Sequence, residues 1–497
     1  MERGAYRERA ESFLSALGAE YYDHYSGLKA DYGVEEIYRR HDGLFSAEAV
    51  LAIHEQWRSD DPDSGESRRL RMLLEFAIDG HLGNVTRDLD AELAGREAVL
   101  TVTAGGNTLP FRAASVAQAN EPDRERRGEL EQARLELTER ALNPLYREWL
   151  ERVREATRAL GWDSYCAMYA EAKGVDFAAL ERETATFLAD TSDDYPELLD
   201  PELRRAVGMR FADLRRADLP RFFRAADLDD AFPSERLLPA LADTLVVAGI
   251  ELQTQPGVLL DLEPRPTKSP RPFCSPVRVP GDVRLMMAPT GGRHDYQALM
   301  HEAGHTEHYA HVNASHPMEF RWLGDNAITE CYAFLLAGLV DDPDWLERRL
   351  AVSPERAAEI ARRGRVERLL YLRRYAGKLA YELELHSGAT KGADLAAVYA
   401  ATLGGAVGID WPREPYLSDV DPGFYSSCYL RAWALEAHVR MQLRTSYGAD
   451  WFEHRGAWDE LRALWSEGQR STPTELLQRL TGRDRLDFGV LIGDLCL

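Results

Sequence analysis

Amphipathic helical patterning runs through most of this 497-residue chain and constrains its fold more than any other feature. Short polar stretches separate segments in which apolar residues recur with helical periodicity, as expected for helices that bury one face. Helix-start signals, in which a capping residue precedes a proline in the first turn, recur at Asp200-Pro201, Ser353-Pro354 and Thr472-Pro473. Glu475 completes a capping box with Thr472. The pattern predicts a mainly α fold with about a dozen helices or more.

The charge balance excludes two classes of partner. The chain has 83 acidic and 60 basic residues, and its formal net charge is −23. Such a field repels nucleic-acid backbones and anionic membrane surfaces. The sequence also has no apolar run of about 18 residues and no apolar leader at its start. We therefore expect a cytoplasmic protein with neither nucleic acid nor membrane as partner.

One region breaks the helical pattern. Three short β-rich runs, at 257–263, 274–279 and 283–288, predict a small sheet. Pro280-Gly281 between the second and third runs suits the central positions of a type II turn. The sheet should end at Gly291-Gly292, just before the segment that carries the chemistry.

An acidic, proline-bearing stretch around residues 190–201 is typical of a boundary between lobes. It predicts an N-terminal helical lobe over 1–200 and a second lobe over 201–497. The residues singled out below for chemistry all lie in the second of these lobes.

Residues 301–305 read HEAGH, which is the H-E-x-x-H motif. Positions i and i+4 of a helix lie on one face, so His301 and His305 can bind one zinc ion together. Glu302 would lie beside them, where it can accept a proton from an attacking water. The alternative is a solvated helix face that carries these residues without a metal.

A catalytic zinc site with two histidines usually takes a third protein ligand. His311 completes a metzincin-like spacing, but His308 occupies the position where that arrangement normally has glycine. Glu330 lies 25 residues after His305, within an apolar helix expected over 326–336. A buried carboxylate there would be costly unless a metal or an arginine paired with it.

His308 shares the face of the motif and is predicted to support the ligands from behind. His294, His311 and His316 are expected at the surface.

The sequence resembles the thimet oligopeptidase family of zinc metallopeptidases, which includes neurolysin and oligoendopeptidase F. Its signature H-E-x-G-H-x-x-H matches residues 301–308, and its third ligand corresponds to Glu330. The family's D-L-y-x-R-x-x-K strand and turn are similar to residues 261–268. Residues 379–386 resemble its late helix, and 422–429 its tyrosine-bearing loop. The likeness covers about residues 255–497.

The resemblance implies a two-lobed, zincin-like, neurolysin-like helical fold, with lobes interlocked around one channel and the small sheet beside the active-site helix. One Zn²⁺ per chain, held by His301, His305 and Glu330, would serve a peptidase acting on short oligopeptides, with Glu302 as general base. Tyr425 and Tyr429 are the residues that would donate hydrogen bonds to the oxyanion. A monomer is expected, because a channel enzyme needs no partner to form its site.

Two alternatives stay open at the level of sequence. A Taq-type metallocarboxypeptidase has a similar helical fold, but this chain has Thr329-Glu330-Cys331-Tyr332 in place of that family's H-E-S-Q. A non-catalytic, peptide-binding relic of the fold is the other, because residues 415–421 lack the histidine that family members usually carry before the tyrosine loop.

Overall fold

Helices make up most of the chain in the computed structural model, which describes residues 2–269, 271–289, 291–387 and 394–495. The predicted mainly α fold is confirmed. In chain order the α-helices of these residues are α1 (Arg3–Tyr25), α2 (Val34–Arg40), α3 (Ala47–Arg58), α4 (Gly65–Val99), α5 (Phe111–Asn120), α6 (Arg124–Leu137), α7 (Asn143–Ala159), α8 (Tyr165–Lys173), α9 (Phe177–Asp190), α10 (Asp194–Val207), α11 (Leu219–Arg224), α12 (Leu237–Leu245), α13 (Arg293–His311), α14 (Met318–Trp322), α15 (Asn326–Ala337), α16 (Pro343–Leu350), α17 (Pro354–Ser387), α18 (Leu395–Val407), α19 (Tyr425–Tyr447), α20 (Arg455–Trp465), α21 (Pro473–Thr481) and α22 (Gly489–Leu495).

Two of the three helix-start signals are confirmed. The Thr472 hydroxyl accepts a hydrogen bond from the Glu475 N–H (3.2 Å), and the Glu475 carboxylate accepts one from the Thr472 N–H (2.8 Å), which completes the capping box of α21. Helix α17 begins at Pro354.

The third start signal is wrong, because Pro201 lies inside α10. Tyr195, Leu199 and Leu203 recur every four residues, and all three are buried. This apolar stripe carries the helix through the proline, because packing of a buried face outweighs the local signal.

The predicted three-stranded sheet is present. Strand β5 (Asp282–Met286) is central, parallel to β3 (Val258–Asp261) and antiparallel to β4 (Phe273–Arg278). The expected type II turn is wrong, because Gly281 lacks the positive φ which that turn requires.

Strand β4 lies between α1 and α13. The Ser275 hydroxyl donates a hydrogen bond to the Gly18 carbonyl of α1 (2.8 Å), and the Cys274 N–H donates one to Glu302 of α13 (2.8 Å). The sheet thus lies beside the helix that carries the H-E-x-x-H motif.

A second, two-stranded hairpin was not predicted. It pairs β1 (Thr101–Ala104) with β2 (Asn107–Pro110) through Gly105 and Gly106, both with positive φ. A Gly-Gly pair between short β-prone runs is a signal for such a hairpin.

The chain forms two units, each assembled from three segments. The first comprises Met1–Ala77, Leu228–Gly364 and Arg431–Leu491, and the second comprises Ile78–Asp227, Arg365–Leu430 and Ile492–Leu497. Both units take segments from either side of residue 200, so the chain does not divide at the predicted boundary. The reason is that packing between helices distant in sequence defines the units, and α4, α17 and α19 contribute residues to both.

No helix of the described residues combines the length and the apolarity that crossing a bilayer requires.

Candidate metal centre

The site is built where α13 packs along α15 in the first unit. A glycine permits their close approach: a Cβ added at Gly304 would lie 2.5 Å from Cα of Ala333 and 2.6 Å from the Tyr332 carbonyl oxygen. No side chain fits there, so the two backbones almost touch. This contact brings the motif on α13 opposite the apolar helix that carries Glu330.

The beginning of α13 is anchored by a buried ion pair. The Arg293 guanidinium lies 2.7 Å from Asp341, and the Gln297 amide donates a hydrogen bond to the same carboxylate. Gly292, which precedes the helix, has a φ of 87°, and its N–H donates to the Phe232 carbonyl. These contacts fix the residue at which α13 begins and the orientation of its first turns.

His301, His305 and Glu330 converge, and we refer to them as the His–His–Glu cluster. The two histidine Nε2 atoms are 3.2 Å apart, and Oε2 of Glu330 lies 3.5 Å from the first and 3.7 Å from the second. Ligands about 2.0–2.1 Å from a tetrahedral zinc are about 3.4 Å from one another. The three atoms therefore have the spacing that one zinc ion requires.

The protonation states within the cluster also suit a cation. Burial lowers the pKa of His301 to about 4 and holds that of His305 well below its ordinary value. Both imidazoles are thus uncharged at neutral pH, which is the form that binds a metal. Glu330 supplies the carboxylate, and the His301 side chain is still 23% exposed, so a ligand can reach the cluster from solvent.

Hydrogen bonding behind the cluster fixes the orientation of one ligand. Nδ1 of His305 lies 2.8 Å from the Thr329 hydroxyl, on the residue before Glu330. If Nδ1–H donates this bond, Nε2 carries the lone pair that faces Glu330.

Glu302 lies beside the cluster and is held by the sheet. Its Oε2 accepts the hydrogen bond from the Cys274 N–H, whereas Oε1 makes no hydrogen bond to any described residue. Burial, with a smaller contribution from the Glu330 charge, raises the pKa of Glu302 to about 7 against the opposing effects of the Cys274 N–H and Arg271. A carboxylate with a pKa near neutrality can both take and return a proton.

The other predicted histidines lie elsewhere on α13 and near its end. His311 turns to the Glu307 carbonyl on its own helix (2.8 Å) and is not among the atoms of the cluster, which counts against the metzincin-like ligand set. His294 is exposed, whereas His311 and His316 are half-buried.

His308 is fully buried between the rings of Tyr309 and Tyr332, at centroid distances of 5.3 and 5.0 Å. Within the described residues no hydrogen bond joins it to the cluster, and burial lowers its pKa to about 4. Its supporting role stays a prediction.

Tyr425 and Tyr429 begin α19 in the second unit, where both are half-buried. Their rings meet edge to face at 5.0 Å, and Tyr429 also contacts Tyr375 at 5.3 Å. Their oxyanion role stays a prediction.

Three further residues that support the site were not identified from the sequence. Gly304 sets the helix–helix distance, Thr329 orients His305, and the Cys274 N–H holds Glu302. Gly304 and Thr329 adjoin recognised ligands and could have been suspected from that position. The Cys274 contact is made by the backbone N–H, so the residue type at position 274 could not indicate it.

No model of a known protein family matches the chain, and a search of curated proteins also gives no match. The resemblance to the thimet oligopeptidase family therefore stands on the residues quoted for it.

Proposed function

We propose that this protein is a zinc-dependent metallopeptidase that cleaves short peptides. The observation that carries the proposal is the His–His–Glu cluster with Glu302 beside it. Three donor atoms at zinc-compatible spacing and a carboxylate poised near neutrality make up a hydrolytic site of the H-E-x-x-H type.

A zinc ion in the cluster would supply Lewis-acid polarisation of the scissile carbonyl and lower the pKa of water. Glu302 would accept the proton of the attacking water at Oε1 while the Cys274 N–H holds Oε2 in place. The same carboxyl group would then return the proton to the departing amine. Thr329 would keep the His305 ring oriented throughout, so that little reorganisation accompanies the reaction.

The finer assignments belong to the same proposal. They are a two-lobed zincin-like fold of the thimet oligopeptidase type, one zinc per chain, Tyr425 or Tyr429 as oxyanion donor, a cytoplasmic location and a monomeric state. The motifs at 261–268, 301–308 and 422–429 support the first three of these assignments by resemblance.

The decisive experiment compares three variants with the wild type for zinc content and peptide cleavage. Glu302→Gln should keep about one zinc per chain and lose about 10²–10⁴-fold in turnover. Glu330→Gln should lose both zinc and activity, because it removes a ligand. His294→Ala, at an exposed position of the same helix, should change neither. Unaltered cleavage by Glu302→Gln would refute the assignment of the general base, and a wild type that binds no zinc would refute the metallopeptidase itself.

A further inference from the structure

An aromatic surface made of Tyr21, Tyr25 and Phe273 lies next to Glu302. The rings of Tyr21 and Tyr25 are 4.5 Å apart, and Tyr21 meets Phe273 edge to face at 5.0 Å. Tyr25 meets Phe273 at 6.3 Å. Helix α1 supplies the two tyrosines, and the first residue of β4 supplies the phenylalanine, so all three belong to the first unit.

The surface has a buried floor and an open top. Phe273 packs with Tyr22 and Met286, and all three are 9% exposed or less. By contrast, Tyr21 is 39% exposed and Tyr25 is half-buried. Exposed apolar groups scattered singly need no explanation, but a contiguous set on a rigid floor is typical of a binding site.

The position of this surface indicates what it would bind. Phe273 directly precedes Cys274, whose N–H holds the Glu302 carboxylate at 2.8 Å. Tyr21 is close enough to Glu302 that, after burial and Tyr25, the Glu302 charge also raises its pKa. A peptide whose scissile bond lay at Glu302 would thus bring a neighbouring side chain to these rings.

We propose that the aromatic surface binds an aromatic or large apolar side chain next to the bond that is cleaved. This inference rests on the proposed peptidase function and adds a substrate preference to it. Rings in such clusters attract a further ring by apolar burial and by edge-to-face contact. A small side chain such as alanine would leave the rings exposed to water, so it would gain neither the apolar burial nor the edge-to-face contact.

The test uses two peptides that differ only in phenylalanine or alanine beside the cleaved bond. The wild type should prefer the phenylalanine peptide in kcat/KM, and Tyr21→Ala should reduce that preference about two- to tenfold with zinc content unchanged. Tyr21→Phe should retain the preference, because it keeps the ring. Tyr32→Ala is the matched control, an exposed tyrosine that contacts Tyr25 but not Phe273, and it should leave the preference intact.

Binding of the same two peptides to Glu302→Gln, measured by calorimetry, separates this inference from the proposed function. Tighter binding of the phenylalanine peptide that is lost in Glu302→Gln/Tyr21→Ala supports the surface even if the wild type cleaves nothing. Equal affinity for both peptides, or a preference that survives loss of the Tyr21 ring, overturns it whether or not cleavage occurs.

Discussion

At the scale of single residues, burial prepares the candidate metal centre. Imidazoles that titrate near neutrality in water are held uncharged in His301 and His305 because the folded chain removes water from them. The same burial raises the pKa of Glu302. One physical cause therefore produces two effects, since it keeps the ligands free of protons and makes the neighbouring carboxyl group a stronger base.

The contact between Thr329 and His305 leads to a prediction about metal affinity. Thr329→Val keeps the shape of the side chain but removes the hydroxyl, so the His305 ring loses the bond that orients it. We expect zinc affinity to fall about 10–100-fold, measured by competition with a chromophoric chelator. Thr329→Ser keeps the hydroxyl and should retain most of the affinity. Equal affinities for the valine and serine variants would contradict the orienting role.

At the scale of secondary-structure elements, the distance between α13 and α15 decides whether the cluster exists. Gly304→Ala places a Cβ against the backbone of Ala333, so the helices must separate and Glu330 must retreat from the two histidines. We expect zinc content to fall well below one per chain and stability to fall by about 1–3 kcal/mol, measured by elemental analysis and urea unfolding.

The control for this variant is Gly405→Ala in α18, where an added Cβ meets nothing within 4 Å. Alanine there should leave zinc content unchanged and stabilise the helix by up to about 1 kcal/mol. Full zinc binding by Gly304→Ala would show that the close approach of the helices is not needed.

Asp261 joins β3 to α1 and to the turn after β3. Its carboxylate accepts hydrogen bonds from Tyr22 (2.9 Å), Arg265 (2.8 Å) and Lys268 (3.1 Å). Burial alone would raise its pKa, but the hydrogen bonds from Arg265, Tyr22 and Lys268 outweigh burial and lower the pKa to about 2. Asp261, Arg265 and Lys268 are the D, R and K of the quoted family motif, which thus has a structural role here.

The lowered pKa of Asp261 predicts how stability depends on pH. The ordinary pKa is 3.8, so the unfolded chain binds this proton more readily than the folded chain does. The ionised Asp261 side chain therefore contributes fully to the free energy of unfolding above about pH 4, and this contribution is lost as the pH falls towards 2. A pKa shift of this size corresponds to about 2 kcal/mol in the free energy of unfolding. Asp261→Asn should lower the free energy of unfolding by at least that much at pH 7. The stability of this variant should also depend less on pH below about pH 4, as measured by urea unfolding at a series of pH values.

Asp459→Asn serves as the comparison. Asp459 also faces two arginines, Arg455 and Arg462, but its side chain is 56% exposed. Water screens such pairs, so this variant should change the free energy of unfolding far less than Asp261→Asn does. A comparable loss in both aspartate variants would refute the argument from burial.

At the scale of the whole molecule, a bound metal should stabilise the fold without creating it. The helices are formed by apolar faces that pack, so removing zinc with a chelator should leave the far-UV circular dichroism unchanged. Adding zinc at about 100 times its Kd should raise the free energy of unfolding by about 2.7 kcal/mol and the Tm by a few degrees. His301→Ala should abolish this shift, and a shift that persists in that variant would locate the metal elsewhere.

Local periodicity explains which expectations were confirmed. The helices, the capping box at Thr472 and the three strands of the sheet follow from patterns that a few neighbouring residues complete. The errors have the opposite origin. Pro201 lies inside α10 because Tyr195, Leu199 and Leu203 form a buried apolar face, and the chain does not divide at residue 200 because packing between sequence-distant helices defines the units.

The sequence by itself determined that the chain is mainly helical and that His301 and His305 share a helix face, since both depend on a spacing of a few residues. Glu330 could be suspected as a buried carboxylate, but its distance to the histidines could not be known. Only the tertiary structure decided that Gly304 lets α15 approach α13, that Thr329 supports His305, and that a backbone N–H of β4 holds Glu302. Helical periodicity is local, whereas these contacts depend on how segments far apart in sequence pack in space.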